Sequence, residues 1–455
     1  MLRIVGLMSG TSYDGVDVAA AGFDLTGETL RLRPLGHREL PYPDDLRADI
    51  AALLPPAATT VEAVCRLDNR LGEVFAEAAA VGVELAGGHA DLVVSPGQTV
   101  FHWVTDGRAR GTLQLGAPAR VAARVGVPVL SDLRGADIAA GGQGAPLVPA
   151  FDALLLAPSD GAVPDGAPSD GAVPDGTVSG GAVPAGAGPR AALNLGGIAN
   201  LTVVAPGRPL LGYDLGPANA LLDAAARRFL DAPCDVGGAR AAAGRTHPGL
   251  LELLLAEPYY AAPPPKSTGK ELFHPGYLDD RLVALGEPVP TDDVFATLTE
   301  LTARIVAAEC DRHRVTEVVA AGGGVRNPTL LGRLAALGGS RWRLRVSDEL
   351  GVPAQAKEAY AFALLGWLSW HGLPGAVPSV TGARRAAVLG SWTPAGPARS
   401  AGPARSVGPA RPAGPARSSG LAGPSGSAGL SAAVPVPRRL RVTAGAGRGP
   451  DEAPG

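Results

Sequence analysis

Short apolar runs separated by glycine-rich polar turns open the chain: "LRIVGLM" predicts a strand, "SGTSYDG" a tight turn, "VDVAAAGFDL" a returning strand and "TLRLRPL" a third. The pattern recurs in the second half, where "RAALNLGGIANLTVVA" again predicts strand, glycine turn and strand, and "PLLGYDLG" the next strand. Helical periodicity follows each opening, over 60–81 and 117–125 in the first half and over 218–230, 292–312 and 355–371 in the second. Shorter apolar strands are expected between them at 90–95 and 317–323. Strands alternating with helices predict an α/β architecture with glycine loops at strand ends, where small ligands bind.

At 455 residues the chain has room for two domains, but its 63 glycines and 43 prolines are too many to spread through packed elements. They concentrate in an imperfect Gly-Ala-Val-Pro repeat and in a tail where "GPARS" recurs. Neither stretch buries enough apolar surface to offset the entropy of ordering it. The sequence therefore predicts an N-terminal lobe at 1–150, a flexible insertion at 158–189, a C-terminal lobe at 190–390 and a disordered tail at 391–455.

A formal net charge of −3 supplies no basic field, which argues against nucleic acid or an anionic membrane as partner. The three cysteines, Cys65, Cys234 and Cys310, are too few and too widely spaced for a disulfide framework or a metal cluster. The N-terminal apolar run is too short for a signal peptide and no later run approaches a membrane span, so a cytoplasmic protein is expected.

Candidate chemistry gathers at the glycine turns. Beyond what a hairpin needs, the first turn carries Ser9, Thr11 and Ser12 as donors beside Gly10 and Gly15, with Asp14 and Asp17 as acids. Amides and hydroxyls in such a turn cradle phosphate oxygens and a nearby carboxylate holds Mg²⁺, whereas a plain hairpin explains the glycines alone. Neither GxxxxGK[ST] nor GxGxxG after a strand occurs, so any phosphate site is of another kind. Two further clusters suit a nucleotide: "NLGGIAN" with Gly196 and Gly197, and "AGGGVRNPTLL" with Gly322, Gly323 and Gly324 before a helix. Asp214, in "GYDLGPANALLD", reads equally as a turn residue at a strand end or as a general base.

The segments "GLMSGTSYDGVDVA", "SPGQTVFH", "DLRGADIAAGGQGAPLVPAFD", "NLGGIANLT", "GYDLGPANALLD", "PPPKSTGKELF", "DVFATLTELTA", "GGGVRNPTLL", "AKEAYAFALLGW" and "VTGARRAAVLG" span 2–390. In kind and order they resemble the anhydro-N-acetylmuramic acid kinase family, within the superfamily of sugar kinases, Hsp70 and actin. The resemblance implies two ribonuclease-H-like domains flanking a nucleotide cleft, ATP and Mg²⁺ as cofactors, and an anhydro amino sugar and water as the other substrates. It also implies a homodimer. By the same resemblance Asp214 is the base, Gly10, Thr11, Ser12 and Asp14 match the first phosphate loop, and Asp14 or Asp17 is the metal-linked acid. Gln98, Thr99, Asn219 and Glu358 are the expected substrate contacts. "KSTGKELF" is expected either to meet phosphate or to stabilise a loop, and His102 to be a surface or packing residue. The chain departs from the family pattern at Pro96, where the family has His, and at Ala218, where it has Gly. A kinase for another amino sugar, or a sugar-binding regulator weakened in catalysis by these departures, is the alternative.

Overall fold

The computed structural model describes residues 1–10, 13–54, 57–157, 188–264, 266–269, 271–396 and 434–443. Strands β1 (Leu2–Met8), β2 (Gly15–Thr26) and β3 (Thr29–Pro41) form an antiparallel meander. After α1 (Asp44–Leu53) and α2 (Val61–Leu85), β4 (Leu92–Val94) adds parallel to β1. A hairpin of β5 (Gln98–Thr105) and β6 (Arg108–Leu115) and helix α3 (Pro118–Val125) then lead to β7 (Val129–Ser131), parallel to β4. Two short helices, α4 (Gly135–Ala139) and α5 (Pro149–Leu155), close this part of the chain.

The second sheet repeats the plan. Strands β8 (Arg190–Leu195), β9 (Ile198–Val204) and β10 (Leu211–Pro217) form a meander, followed by α6 (Asn219–Leu230), α7 (Ala239–Ala243), α8 (Pro248–Leu255), α9 (Pro275–Leu285) and α10 (Thr291–Arg312). Strand β11 (Glu317–Ala321) then adds parallel to β8, and after α11 (Pro328–Gly338), β12 (Arg343–Val346) adds parallel to β11. The chain ends through α12 (Lys357–Trp370), α13 (Pro378–Thr381), β13 (Ser391–Thr393) and β14 (Arg439–Val442). The first five strands of the first sheet and the five of the second, taken in order of appearance, both run third, second, first, fourth, fifth, with only the second of the five antiparallel. That arrangement is ribonuclease-H-like and occurs twice, which is the source of the echo between the two halves of the sequence.

Three sequence expectations are corrected here. The first long helix does not end at Val81 but runs on through Gly82, because an added Cβ there would meet Val5 Cγ1 at 2.3 Å and the bare backbone lets α2 lie directly on β1. The boundaries 190–390 and 391–455 do not follow the packing. Helix α12 shares its core with β1 and β2, and Gly6 of β1 lies so near the Ala359 carbonyl that a Cβ would sit 2.0 Å from it. Strands β13 and β14 are the two outer strands of the first sheet, so the tail after Ser391 is not wholly without structure: apolar Leu440, bracketed by arginines, gives β14 a side to bury. Nearly all of the 158–189 insertion, and 397–433 of the tail, lie outside the described residues.

The crossovers between the sheets meet at one buried ion pair. Lys357 Nζ of α12 donates to Asp152 Oδ1 of α5 at 2.8 Å, and Thr202 Oγ1 of β9 donates to Asp152 Oδ2 at 2.8 Å. Both charged side chains are almost wholly removed from water, at 2% and 3% exposure. The helix that leaves the first sheet, the helix that returns to it and a central strand of the second are thereby joined.

Candidate active site

The β1–β2 turn is held from within. Ser9 Oγ accepts from Tyr42 OH at 2.8 Å and lies 2.6 Å from Gln98 Oε1 and 3.0 Å from the Gly15 carbonyl, to one of which it donates its proton. Gln98 Nε2 donates to the Gly10 and Thr99 carbonyls, each at 3.2 Å. Ser9 and Gln98 are therefore buried clasps of the loop, and Thr99 Oγ1 accepts from Gln114 Nε2 at 3.3 Å within the adjacent hairpin. Gly15 is equally confined, with the Leu40 carbonyl 2.4 Å from where a Cβ would stand. Among the described residues of the loop Asp14 is exposed; Thr11 and Ser12 lie outside the described residues.

Asp17 brings groups from both sheets together. Burial, then Glu39, Glu358 and Asp14 around it, pushes its carboxyl up to about 7, and only Arg326 acts in the other direction. Arg326 closes the turn of 3-10 helix Gly323–Arg326 that follows β11. Glu358 opens α12 and accepts from Asn194 Nδ2, at the end of β8, at 3.0 Å. Burial holds the Glu358 carboxyl above its usual range, against the pull of Lys357 and Arg134. Asn194, Arg326 and Tyr42 were not singled out from the sequence, although the first two lie inside quoted motifs.

The glycine turns of the second sheet stack on one another. Gly322 (φ 86°) and Gly324 pack so closely on Asn194 and Leu195 that a Cβ would come within 2.6 Å of each. A Cβ built on Gly196, Gly197 or Gly323 would make only ordinary van der Waals contacts, the nearest at 3.6, 3.9 and 3.8 Å, and Gly197 and Gly323 are exposed. Asn219 Nδ2 donates to the Leu195 carbonyl at 3.1 Å, and the amides of Ala218 and Asn219 reach the Gly197 and Gly196 carbonyls at 3.0 and 3.1 Å. Asn219 thus joins the "NLGG" turn and not Gln98 and Thr99. Ala218, one of the two departures, places its methyl in the core of the second sheet, 1% exposed.

Asp214 is not at a strand end. It lies within β10, at the bulge between Asp214 and Gly216, and its Oδ2 accepts from Ser267 Oγ at 2.8 Å and from the Thr268 amide at 3.2 Å. Burial holds its carboxyl above the usual carboxylate range even though both of these bonds favour the ionised form. Lys266 anchors the overlying segment: its Nζ donates to the Tyr259 and Tyr260 carbonyls at 3.3 and 3.1 Å and lies 3.9 Å from Glu309. "KSTGKELF" therefore stabilises a loop at Lys266 and holds Asp214 at Ser267 and Thr268; Lys270 lies outside the described residues. His102 is on the exposed hairpin.

Among the described residues no three His, Cys, Asp or Glu side chains are arranged to hold a metal ion by themselves.

A profile of the family described as anhydro-N-acetylmuramic acid kinase matches residues 2–163 and 181–395. A Streptomyces coelicolor protein of that name is 56% identical over 397 residues, covering 86% of this chain and 94% of the relative. Rhodococcus erythropolis and Salinibacter ruber proteins of the same name are 49% and 40% identical, covering 86% and 87% of this chain and 94% and 96% of their own lengths. The chain belongs to the anhydro-N-acetylmuramic acid kinase family.

Proposed function

We propose that the protein is an ATP-dependent kinase that opens the 1,6-anhydro ring of 1,6-anhydro-N-acetylmuramic acid with water and phosphorylates O6. The products are N-acetylmuramic acid 6-phosphate and ADP, and the reaction serves peptidoglycan turnover. The observation that carries this reading is the Asp214 carboxylate, fixed by Ser267 Oγ and the Thr268 amide in a chain of this family. Asp214 takes a proton from water as the water oxygen bonds to C1 and the C1–O6 bond breaks. The freed O6 attacks the γ-phosphorus and the bond to the β-phosphate oxygen breaks. A raised pKa suits this base, because its conjugate acid must form readily near neutral pH.

The β1–β2 turn and the stacked turns at Gly196–Gly197 and Gly322–Gly324 are the groups assigned to ATP. The exposure of Gly197 and Gly323, with no close neighbour beside Gly196, supports that assignment. Mg²⁺ fits Asp17 and Asp14: Glu39, Glu358 and Asp14 crowd negative charge near Asp17, and hard oxygen donors are what Mg²⁺ takes. When bound, the ion neutralises charge growing on the transferred phosphate. Glu358 and Thr99 are assigned to the sugar, with Ser9, Gln98 and Asn219 holding the loops that surround it. A homodimer and a cytoplasmic setting belong to the same reading; among the described residues no helix is long and apolar enough to cross a membrane.

Purified protein with ATP, Mg²⁺ and a panel of amino sugars tests the assignment. ADP should form with the anhydro sugar and not with N-acetylmuramic acid or N-acetylglucosamine. Turnover of another amino sugar, with none of the anhydro sugar, would overturn it.

A further inference from the structure

The family profile ends at residue 395, yet β14 lies 44 residues beyond that point, as the last strand of the first sheet. It runs parallel to β3, pairing Arg439 with Thr29, Leu440 with Leu30, Arg441 with Arg31 and Val442 with Leu32. The ladder continues at both ends, where the Arg438 amide donates to the Glu28 carbonyl at 2.8 Å and the Thr443 amide to the Leu32 carbonyl at 2.9 Å. Side chains alternate as a one-sided strand requires. Leu440 is 7% exposed within the core that holds α5 and α12 and Val442 on the same face packs partly buried against it, whereas Arg441 between them faces solvent. Arg438 Nε pairs with Glu28 Oε1 at 3.1 Å, and Arg439 Nε bonds to Thr29 Oγ1.

The place at which this strand docks matters. β14 packs against α5, the helix that leaves the first sheet. Val442 also sits against Gly351 (φ 82°), where a Cβ would come within 2.9 Å of Val442 Cγ1. Gly351 belongs to the turn through which the chain leaves the second sheet for α12. The strand therefore touches both crossovers. Were it removed, Thr29–Leu32 would present a row of unpaired backbone groups, the template that strand addition uses.

We infer that the edge of β3 is a strand-addition site whose ligand is this chain's own segment 434–443, and that the docked segment braces the two crossovers. The segment acts within one chain, as a strap that the family profile does not include.

Hydrogen exchange on the intact protein tests this first. The amides of Arg438 and Thr443, bonded to the Glu28 and Leu32 carbonyls, are expected to exchange many-fold more slowly than free peptide; exchange at the free-peptide rate would overturn the proposal. The second arm uses full-length Leu440→Asp and a labelled synthetic peptide of sequence VPVPRRLRVT. The variant is expected to melt several degrees lower, lose the protection at 438–443 and bind the peptide saturably, while the intact wild-type chain does not. Peptide binding to both proteins alike, to neither, or an unchanged Tm would contradict it. A wild-type dimer held by exchange of 434–443 between copies would overturn the single-chain assignment.

Discussion

Asp214 and its two donors set the pH behaviour expected of the enzyme. As the proposed base, Asp214 works ionised, so kcat/KM should fall as pH drops through its pKa, and burial places that acid limb above the usual carboxylate range. Ser267→Ala removes a bond that favours the ionised form, so the limb should move to higher pH with the alkaline side unchanged. A pH profile of kcat/KM for the two proteins reads this directly; a limb that stays in place or moves down would separate Ser267 from the base. Asp214→Asn should lower kcat by about 10²–10⁴-fold while ATP binding, followed by calorimetry, stays close to wild type. At this scale the sequence revealed candidates but not their partners. Asp214 was visible as an acid beside Gly216 and Pro217, but its donors come from more than fifty residues away, and no periodicity encodes that pairing. Ser9 looked like a ligand because it is polar in a glycine turn and Gln98 because of the family resemblance, whereas both spend their hydrogen bonds on the turn itself.

Between elements, the buried Lys357–Asp152 pair is the contact most exposed to disruption. Taking one partner away leaves a charge without compensation in a dry site, a loss of about 3–5 kcal/mol. Lys357→Met should therefore lower Tm sharply, and Asp152→Leu combined with it should recover part of the loss, less what Thr202 forfeits. A thermal-melt double-mutant cycle checks this, and additive losses would show that the two side chains do not act as a pair. The strands and helices themselves were largely legible, because β1, β8 and β11 are apolar runs ending at glycine and α10 has clear helical periodicity. The first long helix extends past 81 through Gly82, whose role is close packing against Val5.

For the molecule as a whole, the duplicated sheet order accounts for the sequence echo, and the crossovers explain how loops from both halves meet near Asp17. Helix α12 and strand β13 follow the second sheet in sequence and pack on the first, while α13 between them packs on β10, and no composition shift announces this. The glycine- and proline-rich tail hid β14 in the same way, although "RRLRVT" carries a short alternation that a window dominated by "GPARS" repeats obscures. Residue-level chemistry and two-sheet architecture converge on a single claim, that one enzyme couples hydrolysis of the anhydro bond to phosphorylation of O6. Turnover in ¹⁸O-labelled water with ATP and the anhydro sugar tests it most directly. The account predicts one ADP per sugar opened, with ¹⁸O at C1 of the sugar and none in the phosphate. Label in released phosphate, or ADP formed with no label in the sugar, would contradict it.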